Sequence, residues 1–257
     1  MPAALVTGVS RLGGIASAVA RTLARDGWTV AGTGFRPYDE TEPWGAEPDA
    51  PERLLEEGAL AAWSEDDLAD PEAPARVIAA AEAALGPLTG LVVVHTESRL
   101  GGVLDTTAAD FDRHLAVNAR ATLLLIAEFA HRFRGEPGSG RIVAFTTGAV
   151  HGEVAYGASK KALEQIVVAS AVELGPKGIA VNAVDPGPTD TGWLSAELAE
   201  RIREATPLRR IGRPEDAAEL VAFLCSPRGG WIMGQTLVSD GGHGVAPALR
   251  RGRDPLG

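Results

Sequence analysis

Ala3-Ala4-Leu5-Val6-Thr7-Gly8-Val9-Ser10-Arg11-Leu12-Gly13-Gly14-Ile15-Ala16 stands near the head of the 257-residue chain. Its first five residues are almost wholly apolar and read as a strand buried on both faces. From Ile15 to Arg25, Ala18, Val19 and Leu23 recur at helical spacing. A strand that passes through a glycine-rich turn into a helix lets backbone approach a pyrophosphate. The helix N-terminus then supplies amide donors and a favourable dipole. Gly8, Ser10, Arg11, Gly14 and Ile15 are therefore the candidate contacts of a dinucleotide. Glycines also occur at such turns for packing alone, but the position directly after a first strand, in a parallel-sheet pattern, favours the ligand.

The same alternation continues outward. Trp28–Thr33, Leu60–Trp63, Leu91–His95, Arg141–Thr146, Ile179–Val184 and Gln235–Val238 read as further strands. Ala73–Leu85, Ala108–Phe133, Ala155–Leu174 and Pro214–Cys225 read as helices between them. Strands apolar on both faces and separated by helices predict an α/β fold, a doubly wound seven-stranded parallel sheet with helices on both faces. Ligands of such a sheet bind beyond the carboxyl ends of its strands. One domain is expected over residues 1–245, with a tail over 246–257 that is mobile or packs on a neighbouring subunit. Arg36–Gly58, with Pro37, Pro43, Pro48 and Pro51, reads as an extended surface loop.

Composition narrows the function. Lys and Arg total 24 against 34 Asp and Glu, a net charge of −10, which disfavours a nucleic-acid partner. Hydrophobic residues at 45% fit a globular chain and not a disordered one. No run approaches the length of a membrane span, and the N-terminus lacks the basic region of a signal peptide. A single cysteine, Cys225, excludes an intrachain disulfide and a cysteine-based metal site, so no metal is expected and a cytoplasmic protein is the simplest reading.

Two features speak to chemistry. A dinucleotide lacking the 2′-phosphate usually meets an acid at the end of the second strand, and here that stretch is Thr33-Gly34-Phe35-Arg36. Arg36, helped by Arg11, offers charge-assisted bonds to a 2′-phosphate, so NADP(H) is favoured over NAD(H); solvated surface arginines are the competing reading. Asp67-Leu68 follows the third strand, where a side chain meets adenine or merely caps a turn. Tyr156-Gly157-Ala158-Ser159-Lys160 sets a phenol and an ammonium one helical turn apart. Such a cation favours phenolate, and the phenol exchanges a proton with a carbonyl oxygen as hydride moves at carbon. Only three of the 24 basic residues are lysines, so a lysine at 160 stands out in an arginine-rich chain.

With these motifs go Asn118 in Val117-Asn118-Ala119, the run Val181-Asn182-Ala183-Val184-Asp185-Pro186-Gly187-Pro188-Thr189-Asp190-Thr191, Arg213-Pro214-Glu215-Asp216 and Asp240-Gly241-Gly242. Together they resemble the short-chain dehydrogenase/reductase family over nearly the whole chain, most closely its 3-oxoacyl-carrier-protein reductase type. The resemblance implies a single-domain Rossmann fold and interconversion of a ketone and a secondary alcohol. It makes Tyr156 the general acid/base and has Lys160 hold the nicotinamide ribose and lower the Tyr156 pKa. Asn118 would hold a water linking the lysine to solvent. Pro186, Gly187, Thr189 and Thr191 would pass the nicotinamide and phosphates. A lid over about 192–207, carrying Trp193 and Leu194, would cover the substrate. A homotetramer or homodimer built on the helices holding Asn118 and Tyr156 is expected.

Four departures qualify this. The family's serine lies thirteen residues before the tyrosine, whereas Thr147 lies nine before Tyr156, across a loop shortened by about four residues. Thr147 is the candidate orienting hydroxyl, and Val150, Trp193 and Leu194 are the other candidate substrate contacts. The fourth strand ends Val94-His95-Thr96-Glu97 in place of Asn-Asn-Ala-Gly; His95 and Thr96 are candidate cofactor contacts, and His95 and Glu97 read equally as satisfied structural groups. Ala16 and the Val94-His95-Thr96 run are similar to the enoyl-carrier-protein reductase branch, but that branch places its lysine seven residues after the tyrosine, where this chain has Leu163. His151 and Glu153, in the shortened loop, are polar substrate contacts or a solvated pair. Besides the ketoreductase, an enoyl reductase and a catalytically impaired cofactor-binding scaffold or sensor are the alternative readings.

Overall fold

The computed structural model describes residues 1–99, 101–148 and 153–245. Among them, seven strands form one parallel sheet in the order β3-β2-β1-β4-β5-β6-β7. They are β1 (Ala3–Thr7), β2 (Thr29–Gly34), β3 (Ala62–Glu65), β4 (Gly90–Val93), β5 (Gly140–Phe145), β6 (Ile179–Asp185) and β7 (Thr236–Val238). The order reverses between β1 and β4: Leu5 of β1 meets Ala31 of β2 on one side and Leu91 of β4 on the other. A crevice opens at such a reversal, beyond the strands' carboxyl ends.

Period-two alternation divides each strand between two cores. Ala3 and Leu5 of β1 join Leu125, Phe129, Leu163 and Val167 on one face. Ala4 and Val6 join Val19, Leu23, Val221 and Leu224 on the other. The first face is covered by α4 (Ala73–Leu85), α6 (Ala121–Arg132) and α7 (Val154–Leu174); the second by α1 (Ile15–Arg25) and α9 (Pro214–Cys225). Each large side chain buried in these layers contributes about 1.5–3 kcal/mol.

The structure corrects several boundaries. The segment expected as an extended loop over Arg36–Gly58 contains two short helices, α2 (Arg36–Glu40) and α3 (Ala50–Glu56). Pro37 and Pro51 sit in their first turns, where a proline lacks no needed N–H and presets φ, so the prolines open helices here instead of excluding them. Leu54, fully buried, pins α3 to the second core. β3 begins at Ala62 and not at Leu60, because Leu60 packs into the core before the strand pairs Ala62 with Ala31. β4 ends at Val93, since the amides of Val94 and His95 leave the ladder for the Thr7 hydroxyl.

The helical stretch expected over Ala108–Phe133 is three pieces: α5 (Ala108–His114), a π-helical turn (Leu115–Arg120) and α6. An inserted residue of this kind re-aims side chains locally, and Asn118 lies inside it. The segment expected as a lid over 192–207 contains α8 (Ala196–Ala205), N-capped by the Ser195 hydroxyl. The tail from Ala246 and the candidate residues Val150 and His151 lie outside the described residues.

Candidate active site

At the carboxyl end of β1 the turn begins with Gly8 at φ +82, where a Cβ would fall 2.8 Å from the His95 nitrogen. Gly8 is therefore required by the close passage of the segment after β4, the packing reason for such a glycine. Gly13 and Gly14 differ. A Cβ on Gly13 would meet nothing within 4 Å, and Gly14 caps α1 with no side-chain hydrogen bond and no acid in the first turn. The α1 amides are thus left without a carboxylate or hydroxyl from their own turn.

The other half of the site is carried by α7. Lys160 is 2% exposed, and its Nζ donates to the Phe145 carbonyl at 2.9 Å. Burial brings its pKa down to about 7. The Tyr156 hydroxyl is pushed up to about 12, by burial first and by the Glu153 charge next, while hydrogen bonds with Thr96 and Thr147 pull it down. Burial outweighs these two bonds, while the Lys160 Nζ is drawn to Phe145. Thr147 and Tyr156 are brought together as expected, and Thr96, expected as a cofactor contact, joins them.

Thr96 Oγ lies 3.3 Å from Asn118 Oδ1. The Asn118 amide is saturated by protein: Oδ1 accepts from the Glu97 N–H at 2.8 Å, and Nδ2 donates to the Glu97 carbonyl at 2.8 Å and to Ser159 Oγ at 2.9 Å. Its backbone carbonyl accepts from the Thr122 hydroxyl at 2.7 Å. Asn118 therefore clamps the segment after β4 onto α7.

Both ring nitrogens of His95 have protein partners. Its Nε2 faces the Val117 carbonyl at 2.9 Å and so carries the proton; Nδ1 then accepts from Thr7 Oγ at 2.7 Å. Burial, with Lys160 nearby, drops its pKa to about 4, so the ring is neutral near pH 7. Thr7 is a site residue that sequence reasoning missed; its position at a strand end beside a histidine was the available signal.

Glu97 is also held by protein partners. Its carboxylate, 2% exposed, pairs with Arg113 Nε at 3.1 Å and Arg99 Nε at 3.2 Å. Arg113 reaches on to Asp67 at 3.0 Å, and Asp67 also caps the Ala69 amide at 2.8 Å. Asp67 is thus tied to an arginine at a turn, and the Leu68 side chain packs in the core.

The two candidate phosphate-reading arginines are engaged separately. Arg36 Nε donates to Glu65 at 2.7 Å, and its guanidinium lies 5.0 Å over the Trp63 ring. Arg11 Nη2 donates to the Thr191 carbonyl at 2.6 Å, with its guanidinium 5.1 Å over Trp44. Ser10 packs against Gly34, and Ile15 begins α1.

After β6 the chain folds on itself. Gly187, at φ +59, would place a Cβ 2.3 Å from Asp240 Cβ, and its amide donates to Asp185 at 3.0 Å. The buried Thr189 donates to the Pro186 and Gly187 carbonyls at 3.3 and 3.2 Å. Trp193 Nε1 donates to the Thr189 carbonyl at 2.9 Å, which holds a half-exposed ring beside the half-buried Leu194. Among the described residues there is no cluster of His, Cys, Asp and Glu suited to a metal, and no helix long and apolar enough to cross a membrane.

Known proteins resemble this chain over nearly its full length. Residues 8–244 match the family model described as "Enoyl-(Acyl carrier protein) reductase". The uncharacterized oxidoreductase YjdA of Bacillus subtilis is 36% identical over 93% of this chain and 95% of its own. An NADPH-dependent aldehyde reductase-like chloroplast protein of Arabidopsis thaliana is 32% identical over 93% of each chain. A short-chain dehydrogenase from Burkholderia cenocepacia, crystallised with NADP, superposes with a TM-score of 0.82 at 33% identity, covering 94% of this chain and 97% of its own. By the full-length family match, the full-length relatives and the shared fold, the chain belongs to the short-chain dehydrogenase/reductase family.

Proposed function

We propose that the chain is an NADP(H)-dependent oxidoreductase that interconverts a ketone and a secondary alcohol, with Tyr156 as general acid/base. The observation that carries this reading is the phenol of Tyr156 held between the Thr96 and Thr147 hydroxyls, with Lys160 one turn away on the same helix. The residues fit a nicotinamide dinucleotide: the α1 amides lack an acid in their turn, and Gly13 faces open space. Relatives that bind NADP or NADPH support the choice of cofactor. Arg36 then meets a 2′-phosphate by exchanging one carboxylate for a more highly charged group.

When bound, the cofactor supplies or accepts hydride at carbon. The protein's part is the proton and the orientation. Thr147 donates to the substrate oxygen and fixes it beside the phenol. Tyr156 gives its proton to that oxygen in reduction and takes it back in oxidation. With a phenol at about 12, proton donation near neutral pH needs no prior ionisation. Trp193 and Leu194, at the lid's base, present apolar surface to the substrate and limit water. Val150 is proposed with them as a substrate contact.

The enoyl reductase reading draws on the matched model's description and on Ala16; Leu163 at the position of that branch's lysine opposes it. A catalytically impaired scaffold is opposed by the intact Tyr156, Lys160 and Asn118. We further infer one catalytic unit over residues 1–245 and a cytoplasmic location. Assembly through α6 and α7 completes the reading, on the strength of the exposed Leu123, Val168 and Val172. A carbonyl panel with NADPH, run beside enoyl thioesters, tests the reading: carbonyl-dependent NADPH consumption supports it, and consumption with enoyl thioesters alone overturns it.

A further inference from the structure

Three loops meet across the mouth of the crevice, and one side chain touches all of them. Arg11, on the glycine-rich turn, donates from Nη2 to the Thr191 carbonyl at 2.6 Å, immediately before the lid. Its guanidinium lies over Trp44 at 5.1 Å, on the connection between α2 and α3. Glu47 of the same connection lies 3.9 Å from Arg11 Nε, and its other oxygen accepts from the Leu12 amide at 2.8 Å. The Arg11 side chain is only 13% exposed.

The next residue, Gly192, has φ +91, and a Cβ there would come within 3.0 Å of Arg11 Nη2, so the lid's first residue leaves room for the guanidinium. Arg11 is held by the Thr191 carbonyl and the Trp44 ring, its Nε is buried without a hydrogen-bond partner beside Glu47, and it lies deeper than Arg36, whose side chain is 29% exposed. We propose that Arg11 is a latch: it ties the base of the lid to the cofactor turn through Thr191, Trp44 and Glu47, and it closes over a bound dinucleotide without reading the 2′-phosphate. Arg11 is therefore a positioning residue, and the work of distinguishing the two dinucleotides falls to Arg36. This inference rests on the cofactor reading proposed for the site.

The test compares wild type with Arg11→Ala in two ways. Binding of NADPH and NADH is titrated by tryptophan fluorescence, and ligand-free protein is digested under native conditions with cleavage followed within 192–207. A latch predicts that both dinucleotides weaken by the same factor, about threefold to thirtyfold, for a lost charged hydrogen bond and ring contact. The ratio of the two affinities stays as in wild type, and lid cleavage of the ligand-free variant is several times faster. A collapse of the affinity ratio, or a lid cut no faster than in wild type, overturns the latch.

If Arg11→Ala does not fold, Trp44→Leu removes the stack and leaves the charge. The latch predicts the same faster lid cleavage there with the ratio unchanged; unchanged cleavage overturns it. Wild-type protein that binds neither dinucleotide sinks the cofactor reading, while the cleavage comparison alone still decides whether Arg11 holds the lid.

Discussion

The Lys160 nitrogen lies 5.8 Å from the centre of the Tyr156 ring and gives its hydrogen bond to the Phe145 carbonyl, 2.9 Å away. The two residues share a helix face, yet the lysine is anchored to the end of β5 and the phenolic hydroxyl is addressed by two threonines. In the proposed reaction the Tyr156 proton is therefore governed by the Thr96 and Thr147 hydroxyls that address it.

Replacing Thr147 tests that dependence. Thr147→Ala is expected to lower kcat by about tenfold to a hundredfold, the usual cost of losing one donor to a reacting oxygen. Thr147→Ser is expected to stay within about threefold of wild type, since it keeps the hydroxyl. Steady-state kinetics with the best carbonyl substrate check both; an alanine variant as active as wild type places the orienting donor elsewhere.

Lys160 sets a pH dependence of stability. Its pKa falls from an ordinary 10.5 to about 7 in the fold, so between those values the unfolded chain binds more protons than the native one. Stability must then rise with pH across that window. Ligand-free wild type is expected to gain stability from about pH 7 to 9 relative to Lys160→Met, which loses this contribution. Parallel denaturant curves of the two proteins at each pH measure it, and identical slopes against pH refute it.

Arg36 and Glu65 form a competing pair for the 2′-phosphate. Arg36→Ala is expected to weaken NADPH about tenfold or more and NADH by no more than about twofold. Glu65→Gln frees the guanidinium and is expected to raise the preference for NADPH about threefold to tenfold. Titrations with both dinucleotides decide; equal losses for both in Arg36→Ala mean that this arginine does not read the phosphate.

Glu97 holds Arg99 and Arg113 from a buried position. Breaking a fully buried ion pair costs about 3–5 kcal/mol, but Arg99 and Arg113 keep side-chain exposures of 55% and 37%, so water takes up part of the loss. Glu97→Ala is expected to destabilise by about 1–3 kcal/mol, read as a lower denaturant midpoint with unchanged slope. A midpoint equal to that of wild type shows the network to be ornamental to folding.

Much of the layout is legible in the residues. The strictly apolar runs placed the parallel sheet, and the ranges Ala3–Thr7, Ile15–Arg25, Ala73–Leu85 and Pro214–Cys225 coincide with the observed elements. The Tyr156 and Lys160 spacing placed both on one helix. What escaped is long-range and polar. Nothing in the run of residues says that Asn118 sits in a π turn, because that turn depends on partners at Glu97 and Ser159 far along the chain. Pro37 and Pro51 looked like breakers because a proline that opens a helix and one that forbids it have the same local signature. The charge of Arg11 suggests a phosphate, while its contact with Thr191, 180 residues away, leaves no local signal.

The central claim is that Tyr156 moves the proton in a carbonyl reduction driven by NADPH. It is tested most directly by following NADPH consumption by wild type and by Tyr156→Phe with a ketone or aldehyde substrate, after titration has shown that both bind the cofactor alike. The account predicts carbonyl-dependent consumption in wild type and a fall of about a hundredfold or more in the phenylalanine variant with cofactor affinity preserved. Turnover by Tyr156→Phe close to that of wild type would contradict it.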